Sequence, residues 1–524
     1  MARQKRLTLV AAILGSAIVF TDGTVVNVAL PAIRRDLHAG LATQQWVVEA
    51  YLLTLGSLML VGGSLSDLFG RRRIFALGLA GFGVTSILCA VAPTPALLCG
   101  ARALQGAAGA LLVPSALAVI VATFDEDERG AAIGSWTAWG GISTVIGPLI
   151  GGVLIQAASW RLVFAINLLP IAVAIYLVRH MPRRLDETEH RRVDILGAVL
   201  CAAGLAGVVT ALIEEPTRSF GDLLVAPPLV IGVACLILFV AQEMRSPDPM
   251  LPLSLFRRRN FAVGNASTLL VYAALGGATF FISLYLQEVA GYSPIDAGLA
   301  LLPITLVMFA LSRRFGALAD RYGPRLFMGA GPVVAGLGLL WFVGLGAHIS
   351  YVRDVLPGAT IFAFGLAITV APLTAAVLAG VDEHHAGIAS GVNNAIARVA
   401  GLLAIAGIGA VVAGVFGSTL DSKLQGVPLN AASRHGVAVA RSRPLASAPG
   451  GVEPAGRVAI RAASVDAFRA GMLASAILAM LGGAISAVGI QNPRRRVEAG
   501  VCPGGALVGA SRRLGDVVAA PSRS

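Results

Sequence analysis

GGSLSDLFGRRR, residues Gly62 to Arg73, returns in altered form as RFGALADRYGPR, residues Arg314 to Arg325. Gly63, Leu65, Asp67, Gly70 and Arg72 of the first copy match Gly316, Leu318, Asp320, Gly323 and Arg325 of the second, in the pattern G-x-L-[SA]-D-x-[FY]-G-x-R. Each glycine permits a turn closed to larger residues. Each Asp is suited to cap the next helix or to pair with Arg. Arg71, Arg72, Arg321 and Arg325 are suited to the anionic face of a bilayer. For a single copy the alternative is a plain tight turn with inside-positive charges. Two copies at equivalent places read as duplicated helical halves, the architecture of secondary transporters.

The surroundings of the two loops decide the solvent. Of 524 residues, 56% are hydrophobic and 13% charged, with a mean hydropathy of +0.80. A water-soluble domain carries about 25% charged residues, so the chain belongs in a bilayer. The net charge of +12 suggests nucleic acid at first, but the Arg residues sit in short clusters between apolar runs, and no nucleic-acid partner is expected. Lys occurs only at positions 5 and 423, neither followed by Ser or Thr, so there is no phosphate-binding loop for an ATP motor. Five scattered cysteines show no paired spacing, and no metal, cofactor or disulfide framework is expected. The sequence contains no hydrolase, metalloprotease or dinucleotide motif in its proper context, which argues against an enzyme.

Apolar windows of about 20 residues fall near 7–30, 45–65, 74–92, 97–122, 131–154, 161–178, 194–213, 224–243, 260–287, 297–316, 326–346, 355–379, 387–416 and 466–489. The expected fold is therefore an all-α membrane protein of fourteen transmembrane helices. Basic residues set its orientation: with the N-terminus inside, about 20 fall on cytoplasmic segments and about five on short outside loops. Both termini are thus expected in the cytoplasm of a multi-pass protein of the cytoplasmic membrane. The domains read as a six-helix bundle over 1–178, a linker with two extra helices over 179–259, and a second bundle over 260–490. The latter carries a loosely ordered external loop at 418–465, and 491–524 forms a disordered tail.

Ionisable residues inside these spans are costly and mark function. Asp22 lies about 15 residues into the first span, roughly 23 Å along the helix. Glu49 lies at a similar depth in the second span, and Arg102 enters somewhat higher in the fourth. Asp22 reads as a proton carrier or as a fixed interhelical bond, Glu49 as a second proton site or an interfacial acid. Arg398 in the thirteenth span either binds an anionic group or pairs with backbone carbonyls, and Asn393 and Asn394 before it offer polar contacts or packing. Gly147, Pro148, Gly151 and Gly152 combine a helix breaker with small residues that let helices approach closely. Asp382 to His385 are consecutive in a short turn and read as an ordinary polar loop.

Several motifs agree on one family. TDGTVVNVALP (Asp22, Thr24, Asn27, Pro31), LCGARALQGAAGA (Arg102, Gln105, Gly106, Gly109) and IGPLIGG (Ile146–Gly152) join the two loops. Together they resemble the major facilitator superfamily, specifically its fourteen-helix drug:proton antiporter branch, over roughly residues 7–490. WRLVFAINLLP, YSPIDAGLALLP and GIASGVNNAIARVAG share that look, whereas Leu68 and Ser143 depart from the usual pattern. The resemblance implies two six-helix bundles related by a pseudo-twofold axis, with two inserted helices. It further implies proton-coupled export of amphipathic small molecules by alternating access, with Arg102 near the proton site and Asn27 and Gln105 as polar positions facing substrate or packing. Such a protein functions as a monomer in the bilayer, with protons and a small-molecule substrate as its partners, and is compatible with accessory export proteins. A dedicated exporter of an endogenous antibiotic, lipid or siderophore would use the same machinery. A membrane sensor or scaffold is the rival from another class.

Overall fold

The computed structural model describes residues 2–181, 194–215, 218, 222–247, 249, 251, 253–378, 383–446 and 448–492, certain side chains within these ranges excepted. Among them there is no strand. The first half comprises α1 (Ala2–Asp36), α2 (Leu41–Phe69), α3 (Arg71–Val91), α4 (Pro95–Thr123), α5 (Glu126–Ala157), the short α6 (Leu162–Ala165) and α7 (Leu168–Val178). Next come α8 (Ile195–Glu214) and α9 (Ala226–Arg245). The second half comprises α10 (Arg259–Glu288), α11 (Pro294–Tyr322), α12 (Pro324–Val343), α13 (Leu356–Leu378), α14 (Glu383–Leu424), α15 (Ala431–Arg441) and α16 (Pro454–Gly489). Eleven of the described helices are long and apolar enough to cross a membrane.

The outer surface confirms the solvent. Leu77, Val84 and Val91 on α3, Leu169 on α7 and Ile237 on α9 are large, apolar and exposed. In water such a belt would aggregate; in a bilayer it faces acyl chains. The chain is a multi-pass membrane protein.

Contacts at the two ends of α1 mark the two ends of the bundle. At the near end, Lys5 on α1 pairs with Asp125 at 2.7 Å and Glu128 at 2.6 Å. At the far end, Asp36 accepts from Arg161 at 2.5 Å and from the Trp160 indole at 2.9 Å. The halves meet toward the far end. There α1 faces α10, α5 faces the start of α11, and α2 lies against α14.

The helices α8 and α9 pack on each other through glycines: a Cβ on Gly207 would lie 2.4 Å from the Pro228 carbonyl oxygen. Leu205, Val209 and Ile213 of α8 then cover the α2–α14 seam, where they meet Leu402 and Ala406. The inserted pair therefore touches both halves.

Three local expectations are corrected. The sixth apolar window is not one helix but α6 and α7, with Ile166 and Asn167 between them. The segment 418–465 is not a loose loop: α14 continues to Leu424, α15 fills Ala431–Arg441, and α16 starts at Pro454. Its polar composition hides a small tertiary core of Val437, Leu445 and Val452. Asn430 holds that core by accepting from the Ser433 amide at 2.7 Å and donating to Glu453 at 3.0 Å. The first helix, Ala2–Asp36, extends beyond the apolar window at 7–30 at both ends. The tail from 493 onward, Asp382 and the side chains of Glu383, His384 and His385 lie outside the described residues.

Candidate functional site

The repeated loops turn in the same way. Gly70 ends α2 at φ 95° and Gly323 ends α11 at φ 89°. Both occupy the N-cap of the following helix at an extended ψ, a backbone conformation that costs other L-residues about 1–3 kcal/mol. Asp67 and Asp320 therefore lie inside α2 and α11 and not at the caps of α3 and α12; their side chains lie outside the described set. Arg71 and Arg72 open α3 and are engaged in contacts of their own. Arg325 donates from Nε to the Ala487 carbonyl at 2.7 Å, tying α12 to the end of α16. Arg321 lies 5.4 Å from the Tyr322 ring centroid. Gly63 and Gly316 make only ordinary contacts, whereas a Cβ on Gly62, outside the repeated pattern, would sit 2.0 Å from the Ala110 carbonyl oxygen.

Asp22 is enclosed within the first half at 0% exposure. Arg102 Nη1 pairs with its Oδ2. Its Oδ1 accepts from Gln105 Nε2 at 3.1 Å and Asn167 Nδ2 at 3.0 Å. Ser86 Oγ joins the same amides at 3.0 and 3.3 Å. Arg102 is itself used up: Nε donates to the Val47 carbonyl at 2.9 Å, Nη1 also reaches Gln105 Oε1 at 2.7 Å, and the Tyr51 ring lies 4.1 Å away. A buried ion pair whose remaining lone pairs are all met is specific, and leaving one charge unpaired costs about 3–5 kcal/mol. Gln105 thus belongs to this network inside the first half.

Glu49 does not join it. It is buried at 0% exposure, and among the described residues neither carboxylate oxygen has a hydrogen-bond partner. One turn earlier on α2, Gln45 Nε2 donates to the Ile405 carbonyl of α14 at 2.9 Å. Seven residues later, a Cβ on Gly56 would lie 3.4 Å from Arg398 Cβ. Positions 45, 49 and 56 share one helical face, so Glu49 stands on the α2 surface that meets the second half. An ionised carboxylate there has neither donor nor countercharge, and binding a proton removes that cost.

Arg398 lies across the same seam, partly buried on α14, with its guanidinium 5.4 Å from the Phe20 ring of α1. Among the described residues it has no carboxylate partner. Asn393 turns away to α10, donating to Asn265 Oδ1 at 3.0 Å and Thr268 Oγ1 at 2.7 Å; it serves helix packing. Asn394 is exposed. Asn27 keeps a buried Oδ1 without a partner, while its backbone carbonyl accepts from Ser283 at 3.3 Å.

The Gly-Pro cluster divides between two neighbours. Gly147 and Gly151 face α1, where added Cβ atoms would lie 2.3 Å from Thr24 Oγ1 and 2.7 Å from Val25 Cγ2. Gly152 faces the other half, where an added Cβ would lie 2.8 Å from Ile295 Cα, and a Cβ on Gly298 would meet the Pro148 carbonyl oxygen at 2.8 Å. Half of the motif packs the first bundle; the other half forms the seam.

The sequence alone passes over Ser86, Tyr51 and Asn167. Asn167 carries the one legible signal, an amide three residues before Pro170 in a span whose other polar side chains, Arg161 and Tyr176, lie toward its ends.

Comparison with known proteins agrees with this geometry. The model of the Major Facilitator Superfamily matches residues 12–405. The chain is 34% identical over 424 residues to the tetracenomycin C resistance and export protein of Streptomyces glaucescens, covering 79% of this chain and 77% of that one. It is 38% identical over 405 residues to the puromycin resistance protein pur8 of Streptomyces alboniger, covering 76% and 80%. It is 34% identical over 436 residues to the multidrug resistance protein Stp of Mycobacterium tuberculosis (strain CDC 1551 / Oshkosh), covering 83% and 81%. In fold it is similar to a bacterial homolog of the human lysosomal transporter Spinster, with a TM-score of 0.59 at 15% identity, covering 94% and 99% of the two chains. It is similar also to a peptide transporter, POT, with a TM-score of 0.58 at 14% identity, covering 76% and 87%. A bundle of membrane helices, a seam between two halves, and relatives of this kind point to a transporter and not an enzyme: the chain belongs to the Major Facilitator Superfamily.

Proposed function

We propose that the protein exports amphipathic drugs or other small molecules across the cytoplasmic membrane in exchange for protons, by alternating access of two six-helix halves. Its fourteen spans include the inserted pair α8 and α9, and both termini lie in the cytoplasm. The export reading is supported by relatives whose names denote drug or antibiotic resistance. The coupling rests on one observation, the unpartnered buried carboxylate of Glu49 at the seam.

Glu49 is the principal proton carrier in this scheme. It accepts a proton from the far, external side, stays neutral while the seam is closed, and releases the proton to the cytoplasm. Asp22 and Arg102 are the second element, a charge pair that opens when Asp22 takes up a proton. The loops at Gly63–Arg72 and Gly316–Arg325 hinge the two halves at the membrane face. Gly152 and Pro148 form the surface on which the halves slide. One proton crossing 100 mV releases about 2.3 kcal/mol, enough for a roughly fiftyfold gradient, so no ATP is required.

Inside-out vesicles with an imposed proton gradient test this reading. Adding substrate should dissipate the gradient for the wild type and fail to do so for Glu49→Gln. Normal coupling by that variant would remove Glu49 from the mechanism, and absence of any substrate movement would leave a sensor or scaffold. Relatives named for single compounds, such as the cephamycin export protein CmcT of Amycolatopsis lactamdurans, favour a second reading. In it the chain serves one endogenous product, and deletion alters a secreted compound but not drug susceptibility.

A further inference from the structure

The central arginine of the second half has no assigned task. Arg398 sits on α14 where that helix meets α2, opposite Gly56, whose missing side chain leaves room for it. Its guanidinium reaches the first half and lies 5.4 Å from the Phe20 ring. The ionisable side chains that face it are Tyr51 and Tyr272. Neither is a carboxylate, and Glu49 makes no hydrogen bond to it. A second arginine of the seam, Arg34, is paired with Glu288, and inside the first half Arg102 is paired with Asp22. Arg398, by contrast, is a permanent cation with no carboxylate partner among the described residues, and it is only partly buried.

We propose that Arg398 is the substrate-recognition cation, and that the transported molecules it selects are aromatic anions, carboxylates or phenolates carried on a flat ring. The guanidinium offers a planar fork of donors that fits a carboxylate two-pronged. Asn394, one turn earlier on the same face of α14, is exposed and supplies a further amide donor. Phe20 lines the guanidinium with a ring face on which an aromatic body stacks. An anion is the natural occupant, because a cationic ligand would add a second positive charge beside Arg398 in a medium of low polarity.

The inference rests on the export reading for the direction of movement, but binding tests it independently. The full-length protein in detergent is titrated with naphthalene-, anthracene- and biphenyl-carboxylates and, separately, with their neutral primary amides, followed by thermal shift and tryptophan fluorescence. The wild type should bind the carboxylates at least fivefold more tightly than the amides. Arg398→Gln should abolish that preference while leaving amide binding within twofold, and Arg398→Lys should restore part of it. No carboxylate preference in the wild type across the series overturns the proposal. So does a parallel loss of both ligand types in Arg398→Gln, or a preference that survives it. Vesicle transport of the same compounds is read separately. A protein that prefers carboxylates through Arg398 yet moves none of them keeps this inference and loses the export reading.

Discussion

Arg34 on α1 donates from Nη2 to Glu288 Oε2 on α10 at 2.6 Å, with the two side chains only 9% and 8% exposed. The pair bolts the first helix of one half to the first helix of the other. Around it, Gln287 Nε2 donates to the Val28 carbonyl at 3.2 Å and Ser283 Oγ to that of Asn27. Any opening of the far end must break all three. Water then solvates both charges, so the bond favours the sealed state without making it permanent.

Glu288→Gln is expected to leave Arg34 buried without its countercharge and to raise the cost of the sealed state by about 3–5 kcal/mol. Labelling of a cysteine placed near Val28 by a membrane-impermeant maleimide should then rise severalfold. A disulfide between Arg34→Cys and Glu288→Cys should stop transport, and reduction should restore it. Unchanged labelling in Glu288→Gln would show that the pair does not hold this end.

The two buried acids predict opposite phenotypes. Asp22→Asn strands the Arg102 charge inside the first half and should lower stability by about 3–5 kcal/mol, seen as a reduced melting temperature and poor yield. Glu49→Gln replaces a carboxylate that has no partner, so stability should change by less than about 1 kcal/mol, while proton coupling is lost. A Glu49→Gln protein as unstable as Asp22→Asn would mean that the carboxylate has a structural role.

Glycines of one motif should separate by the surface they serve. Gly147→Val places a side chain against Thr24 within the first half and destabilises every conformation by about 1–3 kcal/mol. Gly152→Val collides with Ile295 across the seam and penalises only the sealed state. Thermal stability should therefore fall for the first variant, whereas far-end accessibility should rise for the second.

Gly70→Ala and Gly323→Ala both force alanine to a positive φ with an extended ψ, a region essentially reserved for glycine, costing about 1–3 kcal/mol each. Gly323→Ala should lose more, because its Cβ would also lie 2.3 Å from the Asn492 amide carbon. Equal melting temperatures for the two variants would contradict this ranking.

The seam explains why Asp22 and Glu49, similar in depth and chemistry by sequence, part company. Depth along a helix follows from residue number and a fixed rise, and so is legible in one dimension. Partnership depends on how each helix is rotated about its axis, and only packing sets that. The face of α1 that carries Asp22 turns toward Arg102, Gln105 and Asn167, while the α2 face of Glu49 turns toward α14. Asn393 illustrates the same limit: its amide completes the packing of α10 with α14, which spacing on α14 alone does not reveal.

By itself the sequence determined the solvent, the positions of most spans, the duplicated loops with their obligatory glycines, and the family. Hydrophobic length, charge placement and turn chemistry are local properties written residue by residue. The tertiary structure alone decided that the α6–α7 break hands Asn167 to Asp22, that 418–465 folds, and that Arg34 finds Glu288. Among the described residues it also left Glu49 and Arg398 without ionic partners. Each of these depends on contacts between segments far apart in the chain, which exist only once the helices have packed.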